Sequence, residues 1–267
     1  QPEAFYEPTD EGREKLAALK ESIGQAGLQP EAYGDIEQLG RLVQERLWER
    51  ITREFPEERP APPDPLAAER QAQELFVQRL THFFVGREET LAELDGLAAQ
   101  GGGYVAVTGP SGCGKTTLLA NWLYGHEGFV GHHPDTFVLS HFIGASTRSA
   151  NAREILSRFC QELAPLAEWT EEIPLDLNEL SATFPQILAA AGQRQPVLIV
   201  LDALDQLEQS DNAHSLNWLP GTLPDGIAIV ASSLESGVGA VTDRDTNRTW
   251  PPLHSRAGDR SLRVPPL

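Results

Sequence analysis

The 267-residue sequence predicts an α/β fold, a three-layer sandwich around a mostly parallel sheet, preceded by a small helical segment. Three observations carry this. From Gly101 onward, short apolar runs alternate with helical patterns, the order that builds parallel strands covered on both faces. The first run, Tyr104–Thr108, leads through the glycine-rich turn Gly109-Pro-Ser-Gly-Cys-Gly114 straight into a helix beginning Lys115-Thr-Thr. A later run, Val197–Leu201, ends on Asp202.

In chain order, residues Glu11 to Gln25 carry Leu16, Leu19 and Ile23 at helical spacing. Residues Asp35 to Phe55 repeat the pattern with Ile36, Leu39, Val43, Leu47 and Ile51, so two amphipathic helices are expected. The turn-rich Gly27–Gly34 between them leaves room for a brief strand at most. Two helices make a poor core, so residues 1–58 are expected to be the C-terminal remnant of a domain whose earlier part is missing, and they resemble the tail of an uncharacterised upstream α/β domain. The absence of methionine, even at position 1, fits a piece of a longer protein. Five prolines between Phe55 and Pro65 mark an extended linker. Residues 59–83 are this linker and a helix, Leu66 to Phe83; residues 84–267 form the main domain, expected to be truncated at its C-terminus.

That domain opens with Phe84-Val85-Gly86-Arg87-Glu88-Glu89 and a short helix with Leu91, Leu94 and Leu97 on one face. The strand candidates are Tyr104–Thr108, Thr136–Ile143, Val197–Leu201 and Ile227–Ala231. Helices are expected over Lys115–Leu123, Ala152–Leu163 and Leu177–Ala191. Gly237 to Arg260 is polar and low in periodicity, and Ser261–Leu267 suits one more short strand.

Composition narrows the function classes. Asp plus Glu number 39 against 21 Lys plus Arg, a formal charge of -18, which disfavours a phosphate backbone as main partner. No stretch approaches the ~18 apolar residues of a membrane-spanning helix. The acidic amino end lacks secretory-signal order, and two cysteines, Cys113 and Cys160, make no disulfide framework, so a reducing, cytoplasmic setting is expected.

Gly109-Pro-Ser-Gly-Cys-Gly114-Lys115-Thr116 fits G-x-x-x-x-G-K-[ST] between a strand and a helix, which is the context that gives the motif its chemistry. Glycines let successive N–H groups curl around phosphates, the helix N-terminus adds partial positive charge, and the lysine bridges the terminal phosphates. The expected nucleotide cradle is Gly109, Pro110, Ser111, Gly112, Cys113 and Gly114 with Lys115, Thr116 and Thr117, and the Thr116 hydroxyl is the expected Mg²⁺ ligand. The chain has only three lysines, and Lys115 is the one after position 20. A compact ammonium there serves phosphates differently from a planar guanidinium.

Asp202, closing an apolar run, matches the second Mg²⁺-organising element of a P-loop NTPase; the alternative is a capping Asp. Asp205 is placed to orient or deprotonate the attacking water, or is a solvated loop carboxylate. Ile227–Ser233 resembles a strand carrying a polar sensor of the terminal phosphate, with Leu234 where an arginine often follows, so no arginine finger is expected within the chain. Arg87, near a helix start, either approaches the nucleotide or forms an exposed ion pair. His126, His132, His133 and His141 cluster in sequence without paired cysteines and read as polar loop residues rather than a metal site.

These pieces resemble the NACHT branch of STAND signal-transduction ATPases, of the type in nephrocystin, telomerase-associated and NACHT–WD-repeat proteins. The likeness rests on Phe84–Glu88, Gly109–Thr116, His141-Phe-Ile-Gly-Ala-Ser146, Phe159-Cys-Gln-Glu-Leu163 and Leu201-Asp-Ala-Leu-Asp-Gln-Leu207. It implies an ATP/ADP switch that opens and self-associates on exchange and resets by slow hydrolysis, with Lys115, Asp202 and Asp205 as catalytic residues. It also implies that Val85 and Gly86 lie along the adenine, and that C-terminal repeat or effector domains follow in the full-length protein. Gln206 stands where many relatives carry a second acidic residue. The rival readings are a scaffold that keeps nucleotide as a structural ligand and a P-loop small-molecule kinase, for which Arg148, Arg153 and Arg158 are the available basic cluster.

Overall fold

The computed structural model describes residues 9–25, 36–54, 64–99, 102–235 and 249–266, which fall into two compact units, Gln1–Pro62 and Pro63–Leu267. The expected turn segment Gly27–Gly34 and most of the proline-rich linker lie outside the described residues.

The first unit holds α1 (Asp10–Gln25) and α2 (Ile36–Glu54). Thr9 starts α1, its hydroxyl accepting the Gly12 N–H at 3.1 Å, and a Lys15–Glu11 pair at 2.7 Å adds i,i+4 support. Leu16, Leu19, Val43, Leu47 and Ile51, the expected apolar stripes, remain exposed.

The second unit begins with α3 (Pro65–Thr81), capped by Asp64 with Pro65 in its first turn, and α4 (Glu88–Ala99). Then follow β1 (Gly103–Gly109), α5 (Lys115–Tyr124), a single turn α6 (Phe129–His132) and β2 (Phe137–Phe142). Next come α7 (Ala152–Ala167), α8 (Leu177–Gly192), β3 (Val197–Asp202), β4 (Ile227–Leu234), α9 (Trp250–Ala257) and β5 (Ser261–Arg263). The five strands pair in parallel in the order β2-β3-β4-β1-β5.

Strand residues alternate between two cores, which is why β1, β3 and β4 read as unbroken apolar runs. Tyr104, Ala106, Ile199, Leu201, Ile229 and Ala231 join α7 and α8 on one face. Val105, Val107, Leu198, Val200, Ala228 and Val230 join α3, α4 and α5 on the other. The three-layer arrangement follows directly from that alternation.

Two expectations are corrected. Strand β4 continues past Ala231 to Leu234, because Ser232 and Ser233, although polar, are buried with their hydroxyls hydrogen-bonded. The stretch read as aperiodic contains α9, whose first turn takes Pro251 and Pro252 where no N–H is needed and whose Leu253 and Ala257 are buried. Two apolar residues one helical turn apart are too few to show a period.

The topology places the site. Because β4 lies between β1 and β3, the carboxyl ends of those two strands open on either side of Ser232 and Ser233. A crevice at the carboxyl edge of a parallel sheet is where open α/β folds bind ligands.

Candidate functional site

The loop leaving β1 is shaped by its glycines. Gly112 and Gly114 have φ of 77° and 90°, the left-handed region that favours glycine. Gly109 is fixed by space as well: a Cβ there would stand 2.5 Å from the Val264 carbonyl oxygen and 2.8 Å from Cys113 Sγ. Helix α5 starts on Gly114 with no side-chain cap, so the N-terminal N–H groups and their partial positive charge face the loop. Lys115 Nζ folds back onto that loop, donating to the carbonyls of Gly109 at 2.9 Å and Pro110 at 3.0 Å. Cys113, expected as part of the nucleotide cradle, is buried with Sγ 4.0 Å from the same ammonium.

Asp202 ends β3 almost fully buried. Its Oδ1 accepts from the Ser232 hydroxyl, while Oδ2 is buried without a hydrogen-bond partner among the described residues. Burial pushes this carboxyl up in pKa, the Ser232 and Thr116 hydroxyls and the Lys115 ammonium pull it down, and Asp205 pushes it further up. Lys115, Thr116, Asp202 and Asp205 therefore share one electrostatic neighbourhood. Asp205 Oδ1 accepts the Leu234 N–H at 3.1 Å, so one of its oxygens holds the end of β4. Ala203, between the two carboxylates, sits at φ 59°, strained for a residue with a Cβ.

The segment before α4 gives Val85 and Arg87 different fates. Val85 is 94% exposed. Arg87 does not form the exposed ion pair that was one of its two readings: its NH2 donates to the Cys113 carbonyl at 2.9 Å and the Pro265 carbonyl at 3.0 Å.

Around β2 the structure joins His141 and Arg158 to Gln73 and Glu69, which sequence patterning did not single out. Gln73 of α3 pairs with the outward edge of β2 as a strand would, its Oε1 accepting the Phe142 N–H at 2.8 Å and its Nε2 donating to the Phe142 carbonyl at 3.2 Å. His141 lies buried in β2 rather than in a loop. Arg158 NH1 reaches His141 Nδ1 at 3.0 Å and the Ser140 carbonyl at 3.1 Å. A guanidinium only donates, so Nδ1 accepts and Nε2–H donates to the Ser149 carbonyl at 2.8 Å. Burial drives the His141 pKa down to about 4, Arg158 adding to the effect. Burial pushes the nearby Glu69 carboxyl up, but hydrogen bonds from Gln73 and Ser146 outweigh it and hold it low. The His141–Ser146 motif is thus a structural joint between α3, β2 and α7. Among the described residues, no three His, Cys, Asp or Glu side chains gather as metal ligands do.

Arg148, Arg153 and Arg158 do meet, lining a cavity of about 260 Å³. They are matched there by carboxylates, Arg148 and Arg153 on Glu154 and Arg158 on Glu162. Among the described residues no helix is long and apolar enough to cross a membrane.

The family model for the AAA ATPase domain matches residues 83–230, from before Arg87 to within β4. A TPR repeat-containing protein of Dictyostelium discoideum is 23% identical over 298 residues, covering 86% of this chain and 18% of that protein. Human NACHT and WD repeat domain-containing protein 2 is 34% identical over 129 residues, 45% of this chain and 7% of that one. Mouse nephrocystin-3 is 29% identical over 151 residues, 55% of this chain and 11% of that one. The chain spans less than a fifth of the length of these relatives. A solved structure, a Walker-type ATPase of Pyrococcus abyssi, aligns over 69% of this chain and 54% of that one at 14% identity with a TM-score of 0.38. With the match extending over more than half of its residues, the chain belongs to the AAA ATPase domain family, and it is homologous over part of its length to NACHT–WD-repeat proteins and nephrocystin-3.

Proposed function

We propose that this chain is the nucleotide switch of a STAND-type signalling protein, binding ATP or ADP with Mg²⁺ and hydrolysing ATP slowly. The observation that carries the proposal is the convergence of Lys115 and Thr116 from one strand end with Asp202 from another. In this reading Gly109 and Pro110 shape the turn, the N–H groups of Ser111, Gly112, Cys113, Gly114, Lys115, Thr116 and Thr117 cradle the phosphates, and Lys115 exchanges its carbonyl partners for phosphate oxygens. Val85 and Gly86 flank the base, which would cover the exposed valine.

The residues fit Mg²⁺. Asp202 Oδ2 is an orphaned buried oxygen with the Thr116 hydroxyl nearby, and hard oxygen donors of this kind hold the metal directly or through its water. The ion, when bound, supplies charge stabilisation for the transferring phosphoryl group. Asp205, anchored through one oxygen, orients the attacking water with the other. Slow turnover is expected because the arginines of the basic cluster are held on carboxylates. That same observation favours the second reading, a module that keeps nucleotide as a structural ligand, over a small-molecule kinase. Appended repeat domains are proposed from the names of the relatives, and self-association on activation and effector domains from the resemblance to STAND ATPases.

The test is equilibrium binding of fluorescent ATP and ADP analogues with Mg²⁺ to the full chain, together with phosphate release. Lys115→Ala should weaken binding by about 10- to 100-fold, as loss of a charge-assisted contact implies. Asp202→Ala should abolish slow turnover. Equal affinity in Lys115→Ala would overturn the proposal, and absent turnover in a chain that binds normally would select the structural-ligand reading.

A further inference from the structure

The guanidinium of Arg87 touches no group that marks it as a nucleotide ligand, yet its backbone is held in an unfavourable conformation. Gly86 and Arg87 lie consecutively in the left-handed region, at φ 81° and 67°. For arginine that conformation costs about 1 kcal/mol or more and persists only where surrounding contacts over-determine it. The Arg87 carbonyl accepts the Leu91 N–H at 2.9 Å and so starts α4, while its NH2 bonds the Cys113 and Pro265 carbonyls. One residue thus pins three segments: the start of α4, the phosphate loop, and the chain just after β5.

The consequence for the loop follows from peptide geometry. In a planar trans peptide the C=O and the next N–H point in opposite directions. Anchoring the Cys113 carbonyl on Arg87 therefore turns the Gly114 N–H away from Arg87, at the uncapped start of α5 where it serves an anion. The post-β5 chain is pressed against the same loop from a second point, since the Val264 carbonyl occupies the space a Cβ on Gly109 would need. Val264 N–H also donates to the Thr108 carbonyl at 2.7 Å, immediately before the loop.

We infer that Arg87 is a positioning residue for nucleotide binding, aiming the phosphate loop through the Cys113 carbonyl and locking it to the Val264–Pro265 segment. Loop and segment shift together, so nucleotide occupancy is communicated to the chain after β5. The inference rests on the phosphate-loop reading above and adds a role that does not require Arg87 to touch nucleotide. Because both bonds leave a single nitrogen, an ammonium at similar reach can replace it, which a guanidinium-specific contact to a base or phosphate would not allow.

The test compares wild type, Arg87→Ala, Arg87→Lys and Lys115→Ala in the full chain, by Mg-ADP affinity and by hydrogen exchange of residues 109–118 and 261–264 without nucleotide. Arg87→Ala should raise exchange in both segments and weaken Mg-ADP roughly tenfold, the scale of a lost hydrogen bond to a charged group. Arg87→Lys should restore most of both. Weakened binding with exchange unchanged in both segments would mean direct ligation and overturn the positioning role, as would full activity of Arg87→Ala in both readouts. If Arg87→Ala does not fold, the lysine variant decides: exchange and affinity near wild type support the role, and loss of affinity with wild-type exchange overturns it. An unchanged affinity in Lys115→Ala would instead overturn the underlying site.

Discussion

The Ser232 hydroxyl donates to Asp202 Oδ1 and accepts the Ala203 N–H at 2.8 Å, so one buried side chain fixes both the carboxylate and the strained peptide that follows it. Ser233, its neighbour, is paired with the Thr249 hydroxyl at 2.7 Å. Ser232 thereby orients the carboxylate at the end of β3 and leaves Oδ2 as its available oxygen.

Ser232→Ala should therefore separate chemistry from binding. The variant leaves the Ala203 N–H buried without its acceptor, which costs about 1 to 3 kcal/mol, and it frees the carboxylate to rotate. Phosphate release should fall severalfold while nucleotide affinity in the absence of Mg²⁺ stays near wild type. A thermal melt and a phosphate-release assay on the same sample check both halves.

A second prediction concerns the sheet edge. Gln73 satisfies the Phe142 N–H and C=O, groups that would otherwise end β2 unpaired and buried. Gln73→Leu preserves bulk and removes both partners. Stability measured by urea unfolding should drop by about 2 to 4 kcal/mol, two unsatisfied groups' worth. Gln73→Glu keeps the acceptor for the N–H but places its charge beside Glu69 and loses the donor to the carbonyl, so it should not rescue.

The contrast between these residues and the phosphate loop shows what a sequence displays. Strands β1, β3 and β4 were legible because both faces are buried, so that apolar runs of four or five residues appear without interruption. The loop was legible because its glycines, lysine and threonine act within eight consecutive positions. Gln73 acts on a residue 69 positions away, and Arg87 bridges 26 and 178 positions. Contacts of that kind leave no local pattern, since the surrounding sequence is set by helix or turn requirements and the partner is a backbone atom that any residue supplies. Ser232 shows the same limit: its type fits a polar sensor, but its hydrogen bonds to Asp202 and Ala203, about 30 positions away, leave no local pattern.

Gly109→Ala tests the packing between loop and β5. The added methyl meets a backbone carbonyl at 2.5 Å and Cys113 Sγ at 2.8 Å, and the φ of 153° disfavours any L side chain. The carbonyl cannot withdraw without straining the Val264–Thr108 hydrogen bond next to it. A destabilisation of about 1 to 3 kcal/mol is expected from overpacking, with nucleotide binding reduced further than stability alone predicts. Gly112→Ala, which adds a methyl into open space, should suffer only from its left-handed backbone and bind better than the Gly109 variant.

The last prediction is a pH dependence. His141 is neutral in the fold, facing the Arg158 guanidinium on one side and the Ser149 carbonyl on the other, with Glu69 the nearest opposing charge. Its pKa is held down at about 4, against about 6.5 for a free imidazole. Above pH 6.5 both folded and unfolded chains carry a neutral ring, and stability is unaffected by it. Between pH 6.5 and 4 the unfolded chain takes up the proton and the folded chain does not, so stability falls as pH falls, by up to about 3 kcal/mol. Asp202 acts in the opposite sense: its raised pKa makes the folded chain the better proton acceptor above the ordinary carboxylate range, so falling pH favours the fold through that group. The two are separated by comparing wild type with His141→Asn, whose amide oxygen can accept from Arg158. Urea midpoints measured from pH 4.5 to 7.5 should converge between the proteins towards the acid end, because the wild-type penalty is absent from the variant. Parallel curves for the two proteins would show that the ring does not titrate differently in the fold.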